Sequence, residues 1–129
     1  PYLGAGMNAC ARDLARFGQM IVQGGQLDGD QIISQDWIDD LVEGNDDVRK
    51  LFAASDYGLM RPGAHYHNQF WGSAQGNRSL MCLGIHGQYI HMNLTNQTVI
   101  VKLSSQPASA DSEMFSEAFL AFDALSEQL

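Results

Sequence analysis

Residues 80–106, LMCLGIHGQYIHMNLTNQTVIVKLSSQ, constrain the fold most, because their alternation and their breaks suit only consecutive strands. They predict strands at 80–85, 88–94 and 98–104, separated by a Gly-bearing and an Asn-bearing break. With Asn96-Gln97 as a two-residue turn, Leu94 faces Val99, Met92 faces Val101 and Ile90 faces Leu103, so one face of the hairpin is apolar throughout. The other face carries Tyr89, His91, Asn93, Ile100 and Lys102, and a slip of one residue would drive polar groups into the core. Asn96 suits the positive φ of a type I′ turn and Gln97 suits it poorly; a longer loop of the same parity gives the same apolar face.

The first break, Gly84-Ile85-His86-Gly87-Gln88, differs in kind. Glycine packs nothing in a strand and costs entropy, so a pair of them marks either an ordinary turn or a place where something approaches the backbone closely. Both readings stand on the residues alone.

At 129 residues the chain can hold one domain with a real core, here taken as 1–129. Its net charge of −8, with no basic stripe, argues against nucleic acid as a partner. Much of the acidity is local: Asp28, Asp30, Asp36, Asp39, Asp40, Glu43, Asp46 and Asp47 fall where no Lys or Arg occurs, which predicts a solvated acidic face. Cys10 and Cys82 sit in apolar settings and read as buried free thiols, leaving cytoplasm and periplasm both open. No apolar run is long enough for a membrane span, and no basic-then-apolar leader is present. The chain opens abruptly on Pro1, with Tyr2-Leu3-Gly4-Ala5-Gly6 following, which leads to the expectation of a longer polypeptide.

A helical stripe of Cys10, Leu14, Phe17 and Ile21 predicts a helix over 10–23, stopped by Gly24-Gly25 and with Asn8 as its cap. Gly18 inside it costs about 1 kcal/mol relative to Ala, which predicts close packing against a neighbour. Asp28-Gly29 predicts a turn, and Ser34 caps a second helix over 35–42 that buries Trp37, Ile38 and Leu41 and closes at Gly44. A short helix over 45–54 follows, with Val48, Leu51 and Phe52 apolar. Residues 56–76, rich in Gly, aromatics and His, read as a loop with one strand at 69–72. Residues 112–129 place Phe115, Ala118, Phe119, Phe122, Leu125 and Leu129 on one side of a helix expected to cover the apolar face of the hairpin. The fold class is therefore α+β, an antiparallel sheet covered by helices, needing more cover than this chain supplies.

A zinc site built on His65 and His67 with His86, His91 or Asp56 is conceivable, yet the spacing matches none of the stronger metal patterns. No Gly-x-Ser-x-Gly elbow, phosphate loop or dinucleotide fingerprint occurs.

Two pieces together point further. Ala11-Arg12-Asp13-Leu14-Ala15-Arg16-Phe17-Gly18-Gln19, with Gly24-Gly25 and Ile32-Ile33-Ser34-Gln35-Asp36-Trp37, resembles the helix and loop before the last strands of serine β-lactamase-like hydrolases. So does Gly84-Ile85-His86-Gly87-Gln88 ahead of a hairpin ending Leu103-Ser104-Ser105. Within that superfamily of class C β-lactamases, penicillin-binding proteins and carboxylesterases, the nearest similarity is to 6-aminohexanoate-dimer hydrolases and their relatives. It covers nearly the whole chain.

The resemblance implies a β-lactamase-like (transpeptidase-like) fold of which this is the C-terminal portion. A Ser-x-x-Lys nucleophile and a second proton-transfer Tyr would lie upstream, and the chain contains no Ser-x-x-Lys. It implies acyl transfer to Ser and then water, on a small amide or ester, with no metal or organic cofactor. The segment from Gly84 to Gln88 would take the place of the Lys-Thr-Gly strand, with His86 for the Lys, which disfavours penicillin-type carboxylate binding. Ile85 N–H would be one oxyanion donor and the nucleophile's own N–H the other. Gly84, His86 and Gly87 would face substrate, with Trp71 and Tyr66 as pocket wall. Two other classes remain: a non-catalytic binding or interaction domain on the same scaffold, and a zinc hydrolase using His65 and His67.

Overall fold

The computed structural model describes residues 6–126 and 128; residues 1–5 and Leu129 of the expected terminal helix lie outside them. Helix α1 (Ala11–Val22) leads to a two-stranded ribbon, β1 (Gln26–Leu27) and β2 (Asp30–Gln31), whose Asp28 and Gly29 both take positive φ, as an Asp-Gly turn demands. Helices α2 (Gln35–Glu43), α3 (Asp46–Ala53) and α4 (Asp56–Met60) follow. A five-stranded antiparallel sheet then forms in sequence order from β3 (His65–His67), β4 (Phe70–Gly72), β5 (Ser79–Gly84), β6 (Gln88–Asn93) and β7 (Thr98–Lys102), and α5 (Ser112–Ser126) closes the chain.

Helix boundaries follow their caps. Ser34 Oγ accepts the Trp37 N–H at 3.3 Å, and Gly44 ends α2 at φ 56°. Asn45 Oδ1 accepts from both Asp47 and Val48 N–H at 3.0 Å, which separates α3 from α2. The cap of α1 is Cys10 rather than Asn8: its backbone is extended, its thiol donates to Asp13 Oδ2 at 3.2 Å, and it is exposed, not buried. Cys82 is half-buried, and desolvation pushes its thiol pKa up to about 12.

Both faces of the sheet are covered. On one, Leu80, Ile90 and Met92 pack with Val99 and Val101 against Met20, Ile21 and Val22 of α1 and Leu41 and Val42 of α2. On the other, Met81 and Tyr89 pack with Ile100 against Phe115, Phe119 and Phe122 of α5. The terminal helix therefore covers the face expected to be polar, and not the aliphatic one. The reason lies in α1: at Gly18 its backbone comes so close that a Cβ would sit 2.5 Å from Val99 Cγ1, so the aliphatic face is already filled. The rings of α5 stack instead on the other side, with Phe122 5.7 Å from His91 and 5.6 Å from Tyr89. Leu125 turns outward and is exposed.

The β6–β7 register is shifted by two residues from the two-residue turn: Met92 faces Val99 and Ile90 faces Val101 across a loop of 94–97. The parity, and so the apolar face, is kept. Asn93 Oδ1 accepts the Thr95 N–H at 2.9 Å and Asn96 Oδ1 the Thr98 N–H at 3.2 Å, so the longer loop has its own side-chain bonding, with Gln97 alone left-handed. Leu103 lies beyond the pairing and is exposed.

Residues 56–76 contain α4 and β3 in addition to the expected strand. Strand β3 reads His-Tyr-His and shows no apolar alternation. It pairs with β4 through an Asn68-Gln69 turn in which both residues take positive φ. The acidic face is not wholly solvated either: Arg78 pairs with Asp39 at 2.8 Å and His67 Nε2 with Asp40 Oδ2 at 2.8 Å.

Gly18→Ala should destabilise the protein by about 1–2 kcal/mol despite Ala's better helix propensity, because the methyl meets stiff, β-branched Val99. Urea unfolding of Gly18→Ala and of Gly18→Ala/Val99→Ala tests this. A single variant as stable as the parent, or a double variant that regains nothing relative to Val99→Ala, would remove the close-approach explanation.

Candidate active-site segment

The glycine-flanked break forms a one-turn 3₁₀ segment, Ile85–Gly87, at the tip of the β5–β6 hairpin, with Gly84 paired to Gln88. His86 takes φ 58°, ψ 26°, and Gly87 φ 78°, so two successive left-handed residues reverse the chain. Ile85 is 66% exposed, one of several large apolar side chains that stand in solvent. A Cβ on Gly87 would lie 2.5–2.8 Å from the Gln106 side chain, so what approaches that glycine is the protein's own segment after β7.

His86 is held on three atoms. Its N–H donates to Ser109 O at 3.0 Å, its carbonyl accepts from Gln106 N–H at 3.2 Å, and its ring Nδ1 lies 2.8 Å from Gln106 O. A carbonyl can only accept, so Nδ1 carries the proton and, in the neutral ring, Nε2 is left as an acceptor. Gln88 doubles the bracing: its amide donates to Ser104 O, and its Oε1 accepts the Ser104 N–H at 3.1 Å. Neither Gln88 nor Gln106 stood out in the sequence. Gln88 had adjacency to Gly87 as a signal, and Gln106 had none.

Trp71 and Tyr66 pair across β3–β4 on the α5 side of the sheet, with ring centroids 5.4 Å apart. Tyr57 of α4 stands edge-on to Trp71 at 4.9 Å and Phe52 of α3 at 5.6 Å. Trp71 is half-buried, whereas Tyr57 and Tyr66 are exposed, and the three make a shelf to which sequence reasoning contributed only two. Trp71 faces Met81, three residues before Gly84, or roughly 10 Å along β5. The shelf thus lies on the face of the sheet that carries Met81 and Leu83, short of the turn by three residues of β5. A concavity of about 590 Å³ lies at the other end of β6, beside Leu94 and Gln97, and includes none of these residues.

The remaining histidines are occupied elsewhere. His65 and His67 share the α2 side of β3, where His65 Nε2 donates to Leu41 O at 2.9 Å and His67 bonds Asp40. Among the described residues no three His, Cys, Asp or Glu side chains gather as a metal-binding group. The His65 ring fills the space between Gly44 and Gly72, where any Cβ would strike it. His91 is fully buried with neither ring nitrogen bonded, stacked on Phe122. Desolvation lowers the pKa of both His65 and His91; for His91 the nearby Asp123 opposes that shift and Arg61 adds to it.

No family model matches the chain. It is 32% identical over 106 residues to a 6-aminohexanoate-dimer hydrolase of Paenarthrobacter ureafaciens, a match covering 82% of this chain and 26% of that protein. A solved structure from Bacillus anthracis, assigned as a 6-aminohexanoate-dimer hydrolase, superposes with a TM-score of 0.72 at 28% identity, over 97% of this chain and 31% of its own. Both relatives carry one name. The α+β architecture of antiparallel sheet and covering helices is thus a fold shared with that solved structure, and the chain spans about a third or less of each relative. No helix among the described residues is long and apolar enough to cross a membrane.

The two buried histidines set an acid limit on stability. Their folded pKa values lie below the unfolded value of about 6.5, so the unfolded chain binds protons first; stability is full above that pH and is lost as pH falls toward the folded values. Denaturant midpoints should therefore drop between about pH 7.5 and pH 5, and His91→Phe should flatten part of the fall. Equal slopes in parent and variant would show that His91 contributes nothing.

Proposed function

We propose that this chain is the C-terminal part of a single β-lactamase-like catalytic domain, and that the domain is a serine hydrolase acting on a small amide or ester. The observation that carries this is the similarity over most of the chain to a 6-aminohexanoate-dimer hydrolase; the turn that bears the exposed Ile85 is the segment that would supply a donor.

The nucleophile and its lysine would come from a Ser-x-x-Lys outside this sequence. The serine oxygen attacks the substrate carbonyl, the leaving amine or alcohol departs with a proton, and water then releases the acid from the acyl-enzyme. As the carbonyl becomes tetrahedral its oxygen gains charge, and the Ile85 N–H would meet it together with the N–H of the nucleophile. Gly84 would face substrate with its backbone, the space a Cβ would take being bounded by Gln88 Cβ at 3.0 Å. The left-handed His86 turns the chain away beyond Ile85, and its Nε2, the ring's remaining acceptor, could receive a proton-bearing group of the substrate. Tyr66 and Trp71 would form an apolar wall suited to the alkyl part of such a substrate, with Tyr57 beside them. No metal takes part in this scheme.

The full-length protein should take up one fluorophosphonate on a serine outside this chain, read by intact mass. Ile85→Pro should lower kcat by about 10²–10³-fold, the usual effect of losing one oxyanion donor. A near-normal kcat in a folded Ile85→Pro protein would rule out that donor. An unlabelled full-length protein without esterase or amidase turnover would point to a non-catalytic scaffold.

A further inference from the structure

Between β7 and α5 the chain runs without regular structure, and residues 104–109 double back over the Ile85–Gly87 turn. The contacts are numerous for a connecting segment. Ser104 exchanges a reciprocal pair of hydrogen bonds with the Gln88 side chain, which imitates one rung of a sheet ladder. Gln106 N–H and Ser109 O take the carbonyl and the N–H of His86, one on either side of a single left-handed residue. The Gln106 side chain lies on the open face of Gly87, and Lys102 Nζ donates to Gly87 O at 3.2 Å.

We propose that residues 104–109 form a strap whose task is to aim the Ile85 N–H, and that Gln88 is the positioning residue that fastens it. The proposal rests on the hydrolase reading for its purpose and on the hydrogen bonds for its mechanism.

The logic is that of peptide planes. Gly84 is fixed by its pairing with Gln88. The plane that contains His86 N–H is fixed by Ser109, and the plane that contains His86 C=O by Gln106. The plane carrying Ile85 N–H lies between the first and second of these anchors, so its direction is set from both ends. A non-Gly residue at φ 58° persists only where its surroundings over-determine it, and the strap supplies those surroundings. Catalytic donors must be preorganised, because a donor that reorients during the reaction loses the advantage over water. Gln88 is half-buried, with its side chain bonded to Ser104 of the strap and its amide also donating to His86 O at 3.5 Å, so it would act through the turn and not on substrate.

The experiment compares the full-length protein with its Gln88→Ala and Gln88→Glu variants by amide hydrogen exchange and steady-state kinetics. Losing both bonds to Ser104 should speed exchange of the His86 and Gln106 amides about tenfold while those of Cys82 and Ile90 in the neighbouring ladder stay unchanged. Gln88→Glu keeps the acceptor for Ser104 N–H and should fall between. With turnover measurable, kcat should drop about tenfold in Gln88→Ala at unchanged KM, as for an interaction made only in the transition state. Unchanged exchange at His86 and Gln106 would overturn the strap. Faster exchange with unchanged kcat would overturn the aiming role. Absence of turnover in the unaltered protein would overturn the hydrolase reading instead, and the exchange rates would still decide whether Gln88 fastens the segment.

Discussion

The pairing of β5 with β6 is the constraint from which the other contacts follow. Six residue pairs, from Ser79 with Asn93 to Gly84 with Gln88, lie in the middle of the sheet, and their side chains point alternately to two faces that both have to be dry. A sheet buried on one side could leave Tyr89 and His91 in water. This one buries them fully, which obliges the chain to bring helices to both sides. Helix α1 settles one side by giving up a side chain at Gly18, and α5 settles the other with phenylalanines.

The same pairing sets what stands at each end of the sheet. At the Asn93 end the β6–β7 loop is bonded by its own asparagines beside the concavity at Leu94 and Gln97, and Asn96 also donates to Ser126 O, tying that end to α5. At the Gly84 end the turn is shorter and tighter, and it leaves an aliphatic residue standing in solvent. Behind that residue the backbone of the turn is bonded, His86 to Ser109 and Gln106 and Gly87 O to Lys102. The segment after β7 fixes that turn from outside the hairpin.

Much of this was legible in the sequence because it depended on local rules. Strands β4 to β7, the parity of the β6–β7 hairpin, the Ser34 cap, the Asp28-Gly29 turn and the close approach at Gly18 all follow from residue type and spacing within a few positions. What was not legible depended on competition between distant segments. Which helix takes which face was decided by α1 arriving at the aliphatic side, and α5 alone contains no sign of it. Strand β3 is held by pairing and by bonds from His65 and His67 to α2, so its His-Tyr-His pattern looks like loop until the partners are known. In the candidate site the glycines of the turn left an ordinary turn and a close approach both open; that Gln106 packs on Gly87 could not be read from a glutamine following two serines.

The slot around His65 has a consequence for how this region could change over evolutionary time. Its imidazole sits where Gly44 closes α2 and Gly72 closes β4, and it reaches past both to the Leu41 carbonyl. None of the three positions is free by itself. A methyl at either glycine displaces the ring, and a smaller residue at 65 leaves a hole and an unpaired carbonyl at the end of a helix. Descendants of this sequence should therefore keep the trio together or exchange it as a block, so that covariation among 44, 65 and 72 would trace the seam between helix and sheet.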